Sequence, residues 1–551
     1  MSRFADGLIL GVLLLGIGIF ILYPIWSVVS TSLYDRGVFT LDHYKGLLRM
    51  ENWNLIRNSL WVAVASSGLT TLLAFCIALY AFVSGRKRRF LIQRSLLLTM
   101  ISPPFVSALA FIMLFGRRGL ITHSLLGLSV NPYGWQGIVI LQTVGNIAFA
   151  SLMLLTALEA IDVRQILASR DLGASPFKTL LHVILPAARP GILSIAFILF
   201  TMNLADFGTP IVMGGRYSVL ATEAYLQVIS TGNLGKASAI SVLMIPAAIL
   251  AFFFYHKSVK RTTSFSGSGT RALSNSGHEL RFFPVFRGVL CTVTILFLAV
   301  MLLKYSNILL STVSNTASGS IQFTAKHLQN LPRSQWSSFW HSIWYSAVAG
   351  VVASLMGILL SYYTHRRRIF GMKLMEFCVS LPYIIPGTFF GLGYVAAFTR
   401  GPIALRGTAA IIILNYIFRQ ISVSNKAANA AFSAIDDRQD RAARDLGASH
   451  VRIFSSILLP QLLPTFVVCF VTIFTSSMTA VGAIVFLISP GKNVASVELF
   501  QSIGNGRYGV GAVQAVCIIL ATVGINLLTM YLLERFNKNK KEVKDYVFAA
   551  R

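Results

Sequence analysis

Two stretches of the chain nearly repeat: "IDVRQILASRDLGASPF" at 161–177 and "IDDRQDRAARDLGASHV" at 435–451. Both are polar, yet 55% of the 551 residues are hydrophobic, 12% are charged and the mean hydropathy is +0.70. A chain this apolar is not a soluble globule. Apolar runs near or above the ~20 residues needed to cross a bilayer recur along it. Examples are Leu8 to Val29, Ser59 to Val83, Gly191 to Met213 and Val510 to Leu533. They lack the short alternation of a barrel strand, so they predict helices.

Counting the runs predicts an all-α membrane protein of about twelve transmembrane helices. They fall near 8–31, 59–84, 95–116, 137–157, 191–213 and 236–255, then near 286–304, 342–363, 374–398, 409–424, 464–487 and 509–533. The net charge is +28, and the positives gather between runs, in "GRKRRF" (85–90), "HKSVKR" (256–261), "HRRR" (365–368) and "NKNKKEVK" (537–544). This positive-inside pattern assigns those segments, and both termini, to the cytoplasm. No aromatic RNA-binding motif accompanies the charge, which argues against a nucleic-acid partner. The five cysteines (Cys76, Cys291, Cys378, Cys469 and Cys517) stand far apart in apolar runs. Without CxxC spacing they predict neither a disulfide framework nor a zinc site. Arg3 precedes a long apolar run with no small-residue cleavage site, which reads as a retained first span.

The repeat organises the chain. Gly173 pairs with Gly447 and Pro186 with Pro460 at one constant offset. Fainter echoes keep the same order: "VFTLDHYKGLL" (38–48) with "QFTAKHLQNLP" (322–332), "NSLW" (58–61) with "HSIW" (341–344), and "ATEAYLQV" (221–228) with "SVELFQSI" (496–503). Two parallel six-helix repeats follow, 1–256 and 284–536. A Gly/Ser-rich cytoplasmic linker at 257–283 joins them, and a basic cytoplasmic tail at 537–551 closes the chain.

Each polar phrase lies between the fourth and fifth spans of its half. Gly173 and Gly447 suit a chain reversal that needs positive φ. Ser175 and Ser449 suit the N-cap of a following short helix. Pro186 and Pro460 are expected to break that helix before the fifth span begins. A helix–turn–helix elbow made twice outside the bilayer suggests a twofold partner. Packing alone accounts for the Gly and Pro, but less well for the recurrence of Arg170 and Asp171 as Arg444 and Asp445.

These residues resemble the cytoplasmic "EAA…G…LP" loop of binding-protein-dependent ABC importer permeases. The matching segments are "LASRDLGASPFKTLLHVILP" (167–186) and "RAARDLGASHVRIFSSILLP" (441–460). The resemblance implies the transmembrane domain of a type I ABC importer. It also implies a short helix in each elbow that docks into a cleft on a cytoplasmic ABC ATPase, present in two copies. The implied coupling residues are Ala168, Arg170, Asp171, Gly173, Ala174 and Ser175 in the first elbow. In the second they are Ala442, Ala443, Arg444, Asp445, Gly447, Ala448 and Ser449. The family's glutamate falls at Leu167 and Arg441, so a salt bridge from that position is absent or rearranged. Fused permeases of this length are similar to the ferric-iron importer group, whose relatives handle 2-aminoethylphosphonate, thiamine or sugar phosphates. That implies a periplasmic or lipid-anchored substrate-binding protein, a bacterial cytoplasmic membrane, and ferric iron as cargo, with a phosphorylated or other small organic solute as the alternative.

No G-x-x-x-x-G-K-[ST] phosphate loop occurs; "SPGKNV" (489–494) lacks its first glycine and hydroxyl residue. The chain is therefore expected to be no enzyme and to bind no cofactor, with ATP and Mg held by the partner ATPase. Intramembrane ionisable groups are the default candidates for a substrate path. Asp206, with Asn203, sits near the outer end of the fifth span, and Ala480 stands at the matching place in the second half. Asp206 reads either as a substrate contact or as a headgroup-level carboxylate bonded to Asn203 or a neighbouring helix. Glu223 and Glu498 recur in the outer segment and read as cation guides or, better, as helix-capping carboxylates. Arg216 and Arg507 read as rim residues, and Arg419 as a snorkelling side chain near a cytoplasmic end. His43 and His327 recur, but a ferric site wants converging hard oxygen donors, and no metal site is assigned. The proline pairs in "SPPF" (102–105) and "LPYIIPG" (381–387) read as plain kinks in preference to functional breaks. An ion-coupled secondary transporter would need midplane carboxylates, and a membrane enzyme a cluster of His, Asp and Glu. Such carboxylates are scarce in the sequence, and its Asp, Glu and His are scattered through loops without a cluster.

Overall fold

The computed structural model describes residues 2–265 and 284–549, apart from 36, 49, 101–103, 118, 128–130, 316–321, 325, 330, 368, 400–402 and 437. Most of the expected linker, and Pro103 of the first proline pair, lie outside the described residues.

The first-half helices are α1 (Asp6–Leu33), α2 (Trp53–Val83), α3 (Arg86–Thr99), α4 (Pro104–Phe115) and α5 (Trp135–Glu159). They continue with α6 (Val163–Asp171), α7 (Pro176–Ala205), α8 (Gly208–Met213), α9 (Leu220–Thr231) and α10 (Leu234–Phe265). The second half repeats the series as α11 (Pro284–Thr312), α12 (Arg333–Arg366), α13 (Met372–Ile384), α14 (Gly387–Phe398) and α15 (Ala409–Ala434). It closes with α16 (Arg438–Asp445), α17 (His450–Met478), α18 (Ala495–Gly504) and α19 (Tyr508–Ala549). A small antiparallel ladder follows α11, pairing Ser314 with Phe323 and Asn315 with Gln322.

Ten helices among the described residues are long and apolar enough to cross a membrane, and the bent pair α13–α14 makes an eleventh. The twelfth expected span, 409–424, lies within α15. That helix is long, but Asn415, Arg419, Gln420, Asn425, Lys426 and Asn429 keep it out of the apolar group. Residues 257–265, expected in the linker, continue α10, and the backbone of the basic tail continues α19 to Ala549.

Three further expectations are corrected. The third span of the second half turns by 109° between α13 and α14, more than a plain proline kink. Its first-half counterpart, expected at 95–116, divides into α3 and α4. The fifth spans start earlier than 191 and 464, because Pro186 and Pro460 do not break them. A π-helical turn precedes each proline, Leu180–Ile184 and Phe454–Leu458. The amide of Leu185 bonds the Leu180 carbonyl, and that of Leu459 the Phe454 carbonyl. The wider turn absorbs the missing proline donor and its ring.

The chain forms two compact units, and these do not coincide with the two sequence halves. One holds Phe39–Asn330 and Ser502–Ala515; the other holds Met1–Val38, Leu331–Gln501 and Val516–Arg551. The first span of each half thus belongs to the unit built mainly from the other half. In the unit of Phe39–Asn330, Phe297 and Met301 of α11 join a core of Ile77, Leu154, Leu155 and Ile184. Lys304 Nζ donates to Ser107 Oγ at 3.2 Å, and the Tyr305 hydroxyl donates to the Thr99 carbonyl at 3.0 Å. These bonds hold α11 on both sides of the α3–α4 break.

In the other unit, Phe20 of α1 stacks on Phe418 at 4.9 Å and packs against Phe398 at 5.6 Å. The Tyr394 hydroxyl donates to the Phe20 carbonyl at 2.9 Å. At the start of α1 the Asp6 carboxylate pairs with Arg367 and accepts from the Tyr363 hydroxyl at 2.9 Å. An apolar first span needs such a buried surface, and distance along the chain places no bar on where it finds one.

The faint echoes acquire physical reasons. The Leu220 amide donates to Ser59 Oγ and the Ala495 amide to Ser342 Oγ, both at 2.7 Å. Thus "NSLW" and "HSIW" hold the starts of α9 and α18. A Cβ on Gly235 would stand 2.5 Å from Nε2 of His43, and one on Gly509 2.5 Å from Nε2 of His327. The two histidines pack on glycines of the last spans.

Helix α12 meets α15 at Gly357, where a Cβ would stand 2.7 Å from the Asn425 amide nitrogen and 2.7 Å from Ser424 Cβ. Gly145 in α5 has open space around it. Gly357→Ala should lower the thermal unfolding midpoint in detergent, at a cost of ~1–3 kcal/mol. Gly145→Ala should leave the midpoint unchanged or raise it.

Candidate functional site

The polar phrase folds into the same elbow twice. Asp162 Oδ1 accepts from the Arg164 amide at 2.9 Å, and Asp436 Oδ1 from the Arg438 amide at 3.0 Å. These bonds start α6 and α16 and account for the repeated acidic residue. Both helices end in the same bonded turn. The Leu172 amide bonds the Ala168 carbonyl, the Gly173 amide the Arg170 carbonyl and the Ala174 amide the Ser169 carbonyl, at 2.9–3.0 Å. The Leu446, Gly447 and Ala448 amides bond Ala442, Arg444 and Ala443 in the same way, at 2.8–3.1 Å. Gly173 and Gly447 each sit at φ +81°, a left-handed conformation that a side chain would strain. Ser175 Oγ then accepts from the Lys178 amide and Ser449 Oγ from the Arg452 amide, both at 3.3 Å.

Each elbow is fixed to its own unit. Ile161, Ile166, Leu180 and Ile184 enter the core around the first. Arg366 anchors the second, pairing with the buried Asp440 at 3.7 Å and donating to the carbonyls of Phe432 and Ile435 at 3.2 and 2.6 Å. The two arginines of the phrase differ in role. Arg170 Nη1 bonds the Ala174 carbonyl at 2.9 Å and locks its turn, whereas Arg444 Nε bonds the Asp440 carbonyl at 3.3 Å within α16. Asp171 and Asp445 are exposed, as are Ala168 and Ala442.

Two residues missing from the sequence-derived set stand at the tips. Leu172 is 88% exposed and Leu446 89% exposed. Each lies between the end of a charged helix and the positive-φ glycine. The available signal was an apolar residue repeated inside a polar phrase, directly before the turn glycine. Burying a leucine side chain is worth ~1.5–3 kcal/mol, so two identical fully presented leucines suit anchoring in a partner's pocket.

Asp206 caps a break. It follows the end of α7, where its Oδ1 accepts from the amides of Gly208 and Thr209 at 3.0 and 3.2 Å. Its Oδ2 accepts from Gln142 Nε2 at 3.1 Å. Gln142 also reaches the Asn203 carbonyl at 3.3 Å, and Asn146 Nδ2 donates to Asn203 Oδ1 at 2.9 Å. Asp206 and Asn203 therefore share a polar cluster with Gln142 and Asn146 of α5, which the sequence reading did not single out. At the matching place the Ala480 carbonyl accepts from Ser496 Oγ at 2.7 Å.

Glu223 and Glu498 both lie in the first turn of their helices, where a carboxylate is favoured. Glu223 accepts from Gln227 at 2.6 Å; Glu498 accepts from Asn493 at 2.6 Å and from Ser338 at 3.3 Å. Neither shares a hydrogen-bond partner with Asp206. Arg216 and Arg507 are exposed. No group of three or more His, Cys, Asp or Glu side chains placed to hold a metal occurs among the described residues.

Comparison with known proteins bears on what two such elbows on a membrane bundle mean. The chain is 26% identical over 543 residues to the ferric transport system permease protein FbpB of Actinobacillus pleuropneumoniae, covering 96% of this chain and 78% of that protein. It is 27% identical over 245 residues to the inner membrane ABC transporter permease protein YdcU of Escherichia coli, covering 41% of this chain and 77% of that one. The model of the family described as binding-protein-dependent transport system inner membrane component matches twice, at residues 54–264 and 353–542. Those two matches include both elbows and take in most of the chain, which therefore belongs to this family as a fused two-copy ABC importer permease.

Proposed function

We propose that this permease carries ferric iron into the cytoplasm, driven by a separate pair of ABC ATPase subunits. The observation that carries the coupling part is the pair of matching elbows, each presenting an exposed leucine, Leu172 or Leu446, beyond a rigid glycine turn. Each leucine enters one ATPase cleft, with Ala168 and Asp171 or Ala442 and Asp445 on the surrounding surface. Docking then needs no glutamate at Leu167 or Arg441. ATP and Mg are held by the ATPase, whose closure moves the elbows and switches the permease between inward-open and outward-open states. A periplasmic or lipid-anchored binding protein delivers the cargo. The basic segments at 85–90 and 365–368 support a cytoplasmic side for the elbows and both termini. The ferric assignment is supported by similarity along 96% of the chain to a permease named for ferric transport.

Two experiments test this reading. Leu172→Asp with Leu446→Asp should leave the permease folded in the membrane and weaken copurification of the ATPase by about tenfold or more. Gly173→Pro with Gly447→Pro should do the same, and undiminished ATPase binding in both double variants would overturn the docking assignment. In reconstituted vesicles, ATP hydrolysis should be stimulated by the ferric-loaded binding protein. Stimulation by a sugar phosphate or an aminoalkylphosphonate instead would replace the cargo and keep the coupling.

A further inference from the structure

Four polar residues of α15 lie on one face. Asn415, Arg419, Ser422 and Lys426 follow one another at helical spacings of four, three and four residues. Arg419 and Lys426 of this stripe reach the bent span. Arg419, expected to snorkel, is the eleventh residue of α15. Its guanidinium lies on the first residue of α14: a Cβ at Gly387 would stand 2.6 Å from Nη2 and 2.9 Å from Cζ. One end of the stripe is open, since Lys426 is exposed, with Nζ 4.4 Å above the Tyr383 ring of α13.

Along the stripe and at the start of α14, several buried polar groups lack hydrogen-bond partners. The start of α14 follows Pro386 and carries no side-chain cap. The first backbone bond of the helix runs from Phe390 to the Pro386 carbonyl, which leaves the amides of Gly387, Thr388 and Phe389 without helical partners. Thr388 is 1% exposed and its hydroxyl makes no hydrogen bond. Asn415, at 0%, makes none with either amide atom, and neither does the hydroxyl of Ser422, at 1%. Among the described residues the Arg419 guanidinium has neither an ion-pair nor a hydrogen-bond partner. The carboxylate of Glu376, on α13, is engaged by Asn425 at 3.2 Å and by Asn429. At the repeat's offset the first half has Gly145 for Arg419 and Leu152 for Lys426. The cationic stripe is therefore a feature of one half and not of the shared scaffold.

We infer that Arg419, Thr388 and the first-turn amides of α14 bind a small oxyanion inside the permease. A guanidinium and a helix N-terminus that converge in a water-poor setting favour a carboxylate, phosphate or phosphonate group. The inference deepens the importer reading and rests on it for the link to cargo. An unpaired arginine repels a bare ferric ion. Ferric iron is a hard ion that prefers anionic oxygen ligands, so it passes this point as an oxyanion complex, or the cargo is itself an anionic solute.

The test is a calorimetric titration of the full-length permease in zwitterionic nanodiscs with inorganic phosphate, 2-aminoethylphosphonate, citrate and ferric citrate. At least one should bind saturably in the millimolar range or tighter. Arg419→Gln should weaken that binding by about tenfold or more, and Arg419→Lys by less, because lysine keeps the charge but loses the fork. Selective binding of ferric citrate identifies an escorted metal; binding of free anions identifies an anionic solute. No saturable binding to the wild-type chain overturns the inference, as does unchanged affinity in a folded Arg419→Gln variant. Should that variant fail to fold, Arg419→Lys and Thr388→Val decide: unchanged affinity in both overturns the site, and weakening in either supports it. No ATPase is present, so failure of the elbows to dock would leave this result untouched.

Discussion

Within a bilayer no water satisfies a backbone group left without a partner, and each such group costs several kcal/mol. Helices there are easy to continue and expensive to interrupt. Several irregularities in the spans are answered from within the protein. The prolines at 186 and 460 are met by π turns that shift the hydrogen-bond register before the donor is lost. The end of α7 is met by Asp206, whose carboxylate accepts three hydrogen bonds from the next segment and from α5. The starts of α9 and α18 are met by Ser59 and Ser342. The start of α14, after a 109° turn, has no such answer and has an arginine laid against it.

Outside the bilayer the constraint reverses. The elbows lie beyond the spans, where a loop is free to take many shapes. These two take one shape, built from an aspartate cap, a left-handed glycine and a serine cap in each copy. Bonded turns and not slack chain therefore join α6 to α7 and α16 to α17. The exposed leucines lie at the tips of these turns. Folding alone gives no reason to leave them in water.

Much of this was legible in the residues. The elbows declared themselves because a polar phrase in an apolar chain is conspicuous, and a duplicated one more so. Gly and Ser at fixed spacing then specified turn and cap. Most spans were readable from length and hydropathy. The prolines misled, because a proline breaks a helix only when the preceding turn stays α-helical, and the π register is invisible in composition. The exchange of first spans was hidden for a different reason: an apolar helix does not state which apolar surface it will bury. Asp206 and Asn203 were visible as polar residues, but their partners Gln142 and Asn146 come from a helix about sixty residues earlier in the chain. Leu172 and Leu446 were passed over because leucine is expected inside, and only its exposure marks it.

If ATP-driven motion enters the permease through the two elbows, their tips touch the ATPase in the assembled transporter. The most direct measurement is photo-crosslinking from the tips, with a benzophenone attached at Leu172→Cys or Leu446→Cys in the assembled transporter. Each position should yield an adduct with the ATPase subunit, and its yield should change when ATP is bound. An intact complex that gives no ATPase adduct from either elbow would contradict the claim.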